Sequence, residues 1–200
     1  MPQPHVQRFA ASFAQQRLWF IDQYESSSGL YNIPAVWRLR GALDVRALQQ
    51  ALNELVRRHE TLRTAVLVDE EQQVVQVVAD FLELTIKHTD LSAAPQPQAQ
   101  LRKLLQDEAN GPFDLSAGPL VRCGLVRLAS EDHVLLLTMH HIVSDGWSMG
   151  VLTRELQLLY TAFTQSQPSP LTELPIQYAD YAQWQREWLQ GEALDRKSVV

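Results

Sequence analysis

The chain has a single cysteine, Cys123, among its 200 residues. That excludes an internal disulfide and any multi-cysteine metal site. Long apolar runs are missing as well. The densest stretch, Val134 to Leu137, is strand-sized, far short of the ~20 residues that cross a bilayer. The first residues, Met1-Pro2-Gln3-Pro4-His5, lack the basic-then-apolar pattern of a secretory signal, so a cytoplasmic location is expected. No basic patch stands out either. The 17 basic and 23 acidic side chains are mixed, for a net charge of -6. The densest basic cluster, Arg57-Arg58-His59 with Arg63, is interrupted by Glu60. Neither nucleic acid nor a membrane is therefore expected as a partner.

What is present is the composition of an ordinary globule: 46% hydrophobic and 20% charged residues, which excludes a disordered chain. No repeat is visible at solenoid or propeller periods. Strand and helix signals alternate, which predicts a mixed α/β class. A helix is expected over Ala14 to Tyr24 with Ser12 as its cap, then a strand over Ile33 to Leu39. Asp44 precedes Val45, Leu48, Leu52, Leu55 and Val56, whose helical spacing predicts an amphipathic helix to about His59. Thr64–Val68 and Gln72–Val78 flank the acidic turn Asp69-Glu70-Glu71 and read as a hairpin. Leu82, Leu84 and Ile86 alternate as in a further strand. A helix carrying Leu101, Leu104, Leu105 and Glu108 stops at Gly111-Pro112. Leu120–Leu128 and His133–Met139 read as paired strands around Ser130-Glu131-Asp132. A helix with Met149, Leu152, Leu156, Leu159 and Phe163 on one stripe follows, and then a helix with Tyr178, Tyr181, Trp184 and Trp188. The tail from Asp195 does not extend that aromatic stripe.

The sharpest local feature is His140-His141 at the end of a buried-looking strand. Neighbours on a strand point to opposite faces. One histidine should therefore enter the protein body while the other enters a cleft. A general base and a structural histidine pair are both open. Asp145 suits three roles: supporting carboxylate to a histidine, helix cap, or ion-pair partner of an arginine. Gly146 serves either a tight turn or the approach of a backbone N–H to substrate.

Other chemistries are disfavoured. Adjacent histidines are poor geometry for one metal, and no third ligand follows at a familiar spacing. Cys123 lies among apolar strand residues and reads as a small buried hydrophobe. Ser144 lacks the G-x-S-x-G elbow of serine acyl-enzymes. Arg58 and Arg63 read either as a solvated helix end or as guanidinium groups reaching a buried acid such as Asp145.

Four segments together carry a family resemblance. Ser12-Phe13-Ala14-Gln15-Gln16-Arg17-Leu18-Trp19 resembles the first signature of nonribosomal peptide synthetase condensation domains. Arg58-His59-Glu60-Thr61-Leu62-Arg63-Thr64 resembles the second. Met139-His140-His141-Ile142-Val143-Ser144-Asp145-Gly146-Trp147-Ser148 resembles the third, the H-H-x-x-x-D-G motif. Tyr178-Ala179-Asp180-Tyr181-Ala182-Gln183-Trp184 resembles the fourth, and the four occur in family order.

The resemblance implies an α/β (α+β) fold: a chloramphenicol-acetyltransferase-like subdomain, a mixed sheet flanked by helices. It implies a linker over 1–8 and the N-terminal half of a condensation domain over 9–177. An aromatic helix over 178–194 would lead toward the absent C-terminal half, and 195–200 would be an unrelated tail. Donor and acceptor aminoacyl groups would arrive on the phosphopantetheine arms of carrier proteins, with an adenylation domain adjacent and no cofactor bound by this domain. The resemblance gives His141 the catalytic position, as base or as substrate-positioning group, with His140 as its inward-facing partner. It makes Asp145 the ion-pair partner of an arginine, sets Gly146 beside the thioester, and leaves Arg58 and Arg63 to support the site.

Because the later signatures of the family are absent, the chain alone is expected to form no amide. Competing expectations are a CoA-dependent acyltransferase of the same fold, a non-catalytic carrier-docking fragment, and an epimerising relative.

Overall fold

The computed structural model describes residues 6–24 and 29–189. The tail expected from Asp195, residues 1–5 and the end of the aromatic segment lie outside these described residues. Two sheets form the frame. The larger has the order β2-β7-β6-β5: β2 (Asn32–Arg40), β7 (Asp132–His140), β6 (Val121–Ala129) and β5 (Ile86–Asp90). It is mixed, because β5 runs parallel to β6 while the other pairs are antiparallel. The smaller sheet has the order β1-β4-β3, from β1 (Val6–Ala10), β4 (Val74–Ala79) and β3 (Thr64–Val68), all antiparallel.

β7 is buried along nearly its whole length, and both faces explain this. On one face Leu135, Leu137 and Met139 join Val121, Cys123 and Leu125 of β6 against α2 (Val45–Arg58) and α4 (Gly146–Thr164). On the other, Val134 and Leu136 join Val126 against Leu101 of α3 (Pro97–Asn110). A strand covered by helices on both sides needs a continuous apolar run rather than alternation. That is the Val134–Leu137 stretch.

α2 follows its sequence pattern. Ala47 N–H donates to Asp44 Oδ1 at 2.9 Å, capping the helix, and Leu48, Leu52, Leu55 and Val56 are buried. α1 (Phe13–Tyr24) begins one residue earlier than the spacing predicts. Ser12 Oγ accepts from Gln15 N–H at 3.1 Å, and Gln15 Oε1 accepts from Ser12 N–H at 2.9 Å, a reciprocal capping box. α5 (Tyr178–Trp188) carries the aromatic stripe.

Two readings need correction. The stretch expected to be a linker over 1–8 includes strand residues, since β1 begins at Val6 and pairs it with Ala79. The strand expected around Leu82, Leu84 and Ile86 begins only at Ile86. Before it, α2 side chains take the place of a strand partner. Asn53 Oδ1 accepts from Leu84 N–H and Gln49 Oε1 from Ile86 N–H, at 3.0 and 3.1 Å. These bonds satisfy a buried, extended backbone without a ladder.

Candidate functional site

All four signature segments line one cavity of about 900 Å³. Ala14, Gln15 and Leu18 of α1 form one wall. His59, Thr61 and Leu62 come from the corner after α2. His141 to Asp145, with Trp147 and Ser148, come from the turn between β7 and α4. Tyr178 and Tyr181 come from α5.

Hydrogen bonds tie these segments together across the chain. Ser12 Oγ and the Tyr178 hydroxyl are 2.9 Å apart. Arg186 Nε donates to the Ala11 carbonyl at 2.7 Å. Gln177 donates through Nε2 to the Arg58 carbonyl at 3.0 Å, and its Oε1 accepts from Glu60 N–H at 3.2 Å. Gln177, just ahead of the fourth segment, is a connector that the sequence reading did not single out.

The two histidines part as strand alternation predicts. His140 ends β7 on the α3 side and is 2% exposed. It packs between the rings of Tyr31 and Phe113, each with its centroid 6.3 Å away. Its Nδ1 accepts from Ile142 N–H at 3.1 Å. Burial, with the charge of His141 adding, pushes His140 down to about 4. It is a neutral ring at physiological pH.

His141 is the first residue beyond the strand and is exposed to the cavity. Its backbone N–H donates to the Tyr31 carbonyl at 2.8 Å. Among the described residues no carboxylate hydrogen-bonds its ring, so no His–Asp dyad forms.

Asp145 takes the capping role. Its Oδ1 accepts from Ser148 N–H at 2.7 Å and from the Ser148 hydroxyl at 2.6 Å. Those bonds, the hydroxyl's first, hold its carboxyl below the usual range. The expected ion pair with an arginine is not seen among the described residues. Arg58 turns instead to Glu155 of α4, with Nε 3.1 Å from Oε2 and both side chains buried, and also donates to the Thr172 carbonyl. Arg63 donates to the Ala79 carbonyl and pairs with Glu60 at 3.4 Å. The reading of Arg58 as a solvated helix end fails with the same contacts.

Glu155 escaped the sequence reading. Its Oε2 also lies 2.7 Å from His59 Nε2, which places a carboxylate-bound imidazole in the cavity wall. Its signal was a charge beside Leu152, Leu156 and Leu159 on the buried stripe of α4.

Gly146 opens α4 and has no left-handed backbone. A Cβ built there meets nothing within 4 Å. The tight-turn explanation therefore does not hold. Its N–H lies in the first turn of α4, where backbone donors have no intrahelical acceptor.

Ser144 is buried, with its hydroxyl 3.8 Å from the Met149 sulfur. Cys123 is buried in the core, and burial raises its thiol to about 12, so no thiolate forms at neutral pH. Among the described residues, no group of three His, Cys, Asp or Glu side chains is arranged to hold a metal. No helix among them is long and apolar enough to cross a membrane.

The mixed sheet, its flanking helices and the histidine turn at the end of β7 define a chloramphenicol-acetyltransferase-like fold. The condensation-domain family model matches residues 6–198, and the chain belongs to that family, the condensation domains of nonribosomal peptide synthetases. It is 48% identical over 188 residues to malpibaldin synthetase of Mortierella alpina, covering 94% of this chain and 3% of that protein. It is 44% identical over 185 residues to phosphinothricin tripeptide synthetase PhsC of Streptomyces viridochromogenes, covering 92% of this chain and 17% of that protein. The chain thus spans a small fraction of the length of these relatives.

Among solved structures, the X-domain from teicoplanin biosynthesis is 32% identical with a TM-score of 0.83, over 96% of this chain and 40% of that one. The first condensation domain of the CDA synthetase has a TM-score of 0.83 at 22% identity, over 95% of this chain and 48% of that one. At that identity the likeness shows the fold alone.

Proposed function

We propose that this chain is the N-terminal half of a condensation domain that joins two carrier-bound aminoacyl groups through an amide bond. The observation that carries this reading is the convergence of the four signature segments on one cavity, with the His141 ring exposed to it. The acceptor amine attacks the carbonyl carbon of the donor thioester. A C–N bond forms and the C–S bond breaks. His141 takes the amine proton, or holds the amine in line, and the departing thiolate leaves protonated. The first-turn N–H of Gly146, which has no intrahelical acceptor, is the backbone donor this reading offers to a developing oxyanion. Positioning two tethered substrates in one tunnel supplies much of the rate.

Phosphopantetheine belongs in this scheme to the carrier proteins, as the arm that brings each substrate, and the domain binds no cofactor of its own. Carrier proteins and an adjacent adenylation domain are the partners, in the cytoplasm. One wall of the tunnel comes from the C-terminal half of the domain, so this chain alone forms no amide. The 84% exposure of Trp147 and 66% exposure of Ile176, both at the cavity, support an open wall here.

The test is His141→Ala within the synthetase, with both carriers loaded. Amide formation is expected to fall by about 10²-fold or more while carrier binding stays unchanged. Retained amide formation in a folded variant overturns the proposal. A docking role without chemistry is the second reading. It is favoured by the likeness to the X-domain that was solved in complex with OxyB. Partner binding without any amide formation by the wild-type domain would select it.

A further inference from the structure

His140 has one ring nitrogen accounted for and one not. Nδ1 accepts from Ile142 N–H. A neutral imidazole that accepts at one nitrogen carries its proton on the other. The Ile142 bond therefore assigns the proton to Nε2. That atom is buried and has no hydrogen-bond partner among the described residues. An unsatisfied donor so deep in the protein is strongly disfavoured. The group facing it is a carboxylate: Asp22 Oδ1, on the last turn of α1, lies 3.9 Å from Nε2. A small side-chain rotation or a single bridging water spans that gap.

We infer that Asp22 is a positioning residue for the active-site turn: its carboxylate receives the Nε2–H of His140 and so fixes the ring that shapes the turn bearing His141. The inference rests on the proposed amide-forming role of His141 and deepens it.

Three observations support it. Asp22 sits near the C-terminal end of α1, where a carboxylate opposes the helix dipole. Helix energetics therefore do not explain its placement. Its side chain is 18% exposed, and burial, with the charge of Asp114 adding, raises its carboxyl above the ordinary value. That environment suits a carboxylate accepting from a neutral imidazole rather than an ion pair. The groups around the ring are Asp22 from α1, His141 beside it, and the Tyr31 and Phe113 rings, with Asp114 behind Asp22. No lysine or arginine is among these groups.

Through His140 the effect reaches His141 by short steps. Ile142 N–H is held by the His140 ring and Val143 N–H by the His140 carbonyl, at 3.1 Å each. His141 N–H is held by the Tyr31 carbonyl. A ring free to flip releases the first of these bonds and loosens the residue between them.

The test combines the ring proton of His140 with the rate of amide formation. In the chain labelled with 15N-histidine, the Nε2–H signal is assigned by its loss in His140→Asn. Asp22→Asn keeps an accepting oxygen without the charge, so the signal persists but moves upfield, since a neutral acceptor is weaker. Asp22→Ala loses the signal to exchange with water. Asp22→Leu, close in size, replaces it if the alanine variant does not fold.

In the synthetase, the variant without an acceptor lowers kcat by about 10- to 100-fold. KM for the loaded carriers stays within about twofold, and Asp22→Asn recovers most of the rate. An unmoved ring proton in Asp22→Asn overturns the inference. So does a folded Asp22→Ala or Asp22→Leu with signal and kcat both at wild-type level. If the signal responds as described but the wild-type synthetase forms no amide, the proposed function fails and the ring contact stands.

Discussion

Arg58 Nε lies 3.1 Å from Glu155 Oε2, and the two side chains are 7% and 6% exposed. The pair joins the end of α2 to the middle of α4, and His59 Nε2 shares the same carboxylate oxygen at 2.7 Å. Removing Glu155 leaves the Arg58 charge buried without a counter-charge, which costs about 3–5 kcal/mol. Glu155→Ala is expected to lose about that much in denaturant unfolding, and Arg58→Ala less, because Glu155 keeps its contact with His59. The double variant should lose much less than the sum, because no orphan charge remains. Additive losses would show that the pair does not act as a unit.

Gly146 separates fold from chemistry. Its backbone is not left-handed and a Cβ there touches nothing. Gly146→Ala should therefore leave thermal stability unchanged or slightly higher, because alanine is the better helix former by about 1 kcal/mol. If Gly146 flanks the thioester, as proposed, amide formation in the synthetase should nonetheless fall, because the added Cβ would crowd the substrate. A variant as active as wild type would remove Gly146 from the substrate path.

How much of this was legible follows the range of each interaction. α2 and its Asp44 cap lie within a few residues, and the 3.6-residue spacing encodes them. The split between His140 and His141 follows from strand alternation, which is equally local. Asp145 suits three roles in the sequence, because its bonds to Ser148 are local while an arginine partner would be distant. The Arg58–Glu155 pair joins residues 97 positions apart, and no periodicity names such a partner. Leu84 shows the converse. Its alternation with Leu82 and Ile86 resembles a strand, but Asn53 of α2 occupies the backbone position that a ladder would use.

His140 makes acid stability a readout of the buried turn. Its folded value of about 4 lies below the ordinary histidine value of ~6.5. The unfolded chain therefore binds the proton first, and stability falls as pH drops from ~6.5 toward 4. The loss is roughly 3 kcal/mol by the same linkage. Asp22, whose carboxyl is raised, works in the opposite direction. Comparison with His140→Asn isolates the histidine, because that side chain keeps an oxygen for Ile142 N–H and does not titrate. The variant should show a flatter stability profile over this window. Parallel profiles would mean that the ring is not held neutral.

Asp145 should respond to acid through its cap. Its folded carboxyl titrates below the unfolded value of ~3.9. Its stabilisation is thus complete above that value and is lost as pH falls through the folded one. Ser148→Ala removes the hydroxyl that contributes most to the depression, so the carboxyl should titrate closer to its ordinary value by NMR. Asp145→Ala should lose the cap itself, about 1 kcal/mol. A carboxyl unmoved by Ser148→Ala would point to another partner.

Ser12 holds two structures with one hydroxyl. Its Oγ accepts from Gln15 N–H at the start of α1 and lies 2.9 Å from the Tyr178 hydroxyl at the start of α5. Tyr178→Phe removes only the second contact and should lose about 1 kcal/mol, the net worth of a typical internal hydrogen bond. Ser12→Ala removes both and should lose about 2 kcal/mol, since the cap adds a similar amount. In the Tyr178→Phe background, Ser12→Ala should lose only the cap. The difference measures the link between the first and fourth segments. An equal loss in both backgrounds would mean that Ser12 does not help to hold α5, which then rests on its other contacts, such as Arg186 with the Ala11 carbonyl, and that the cavity wall does not depend on Ser12.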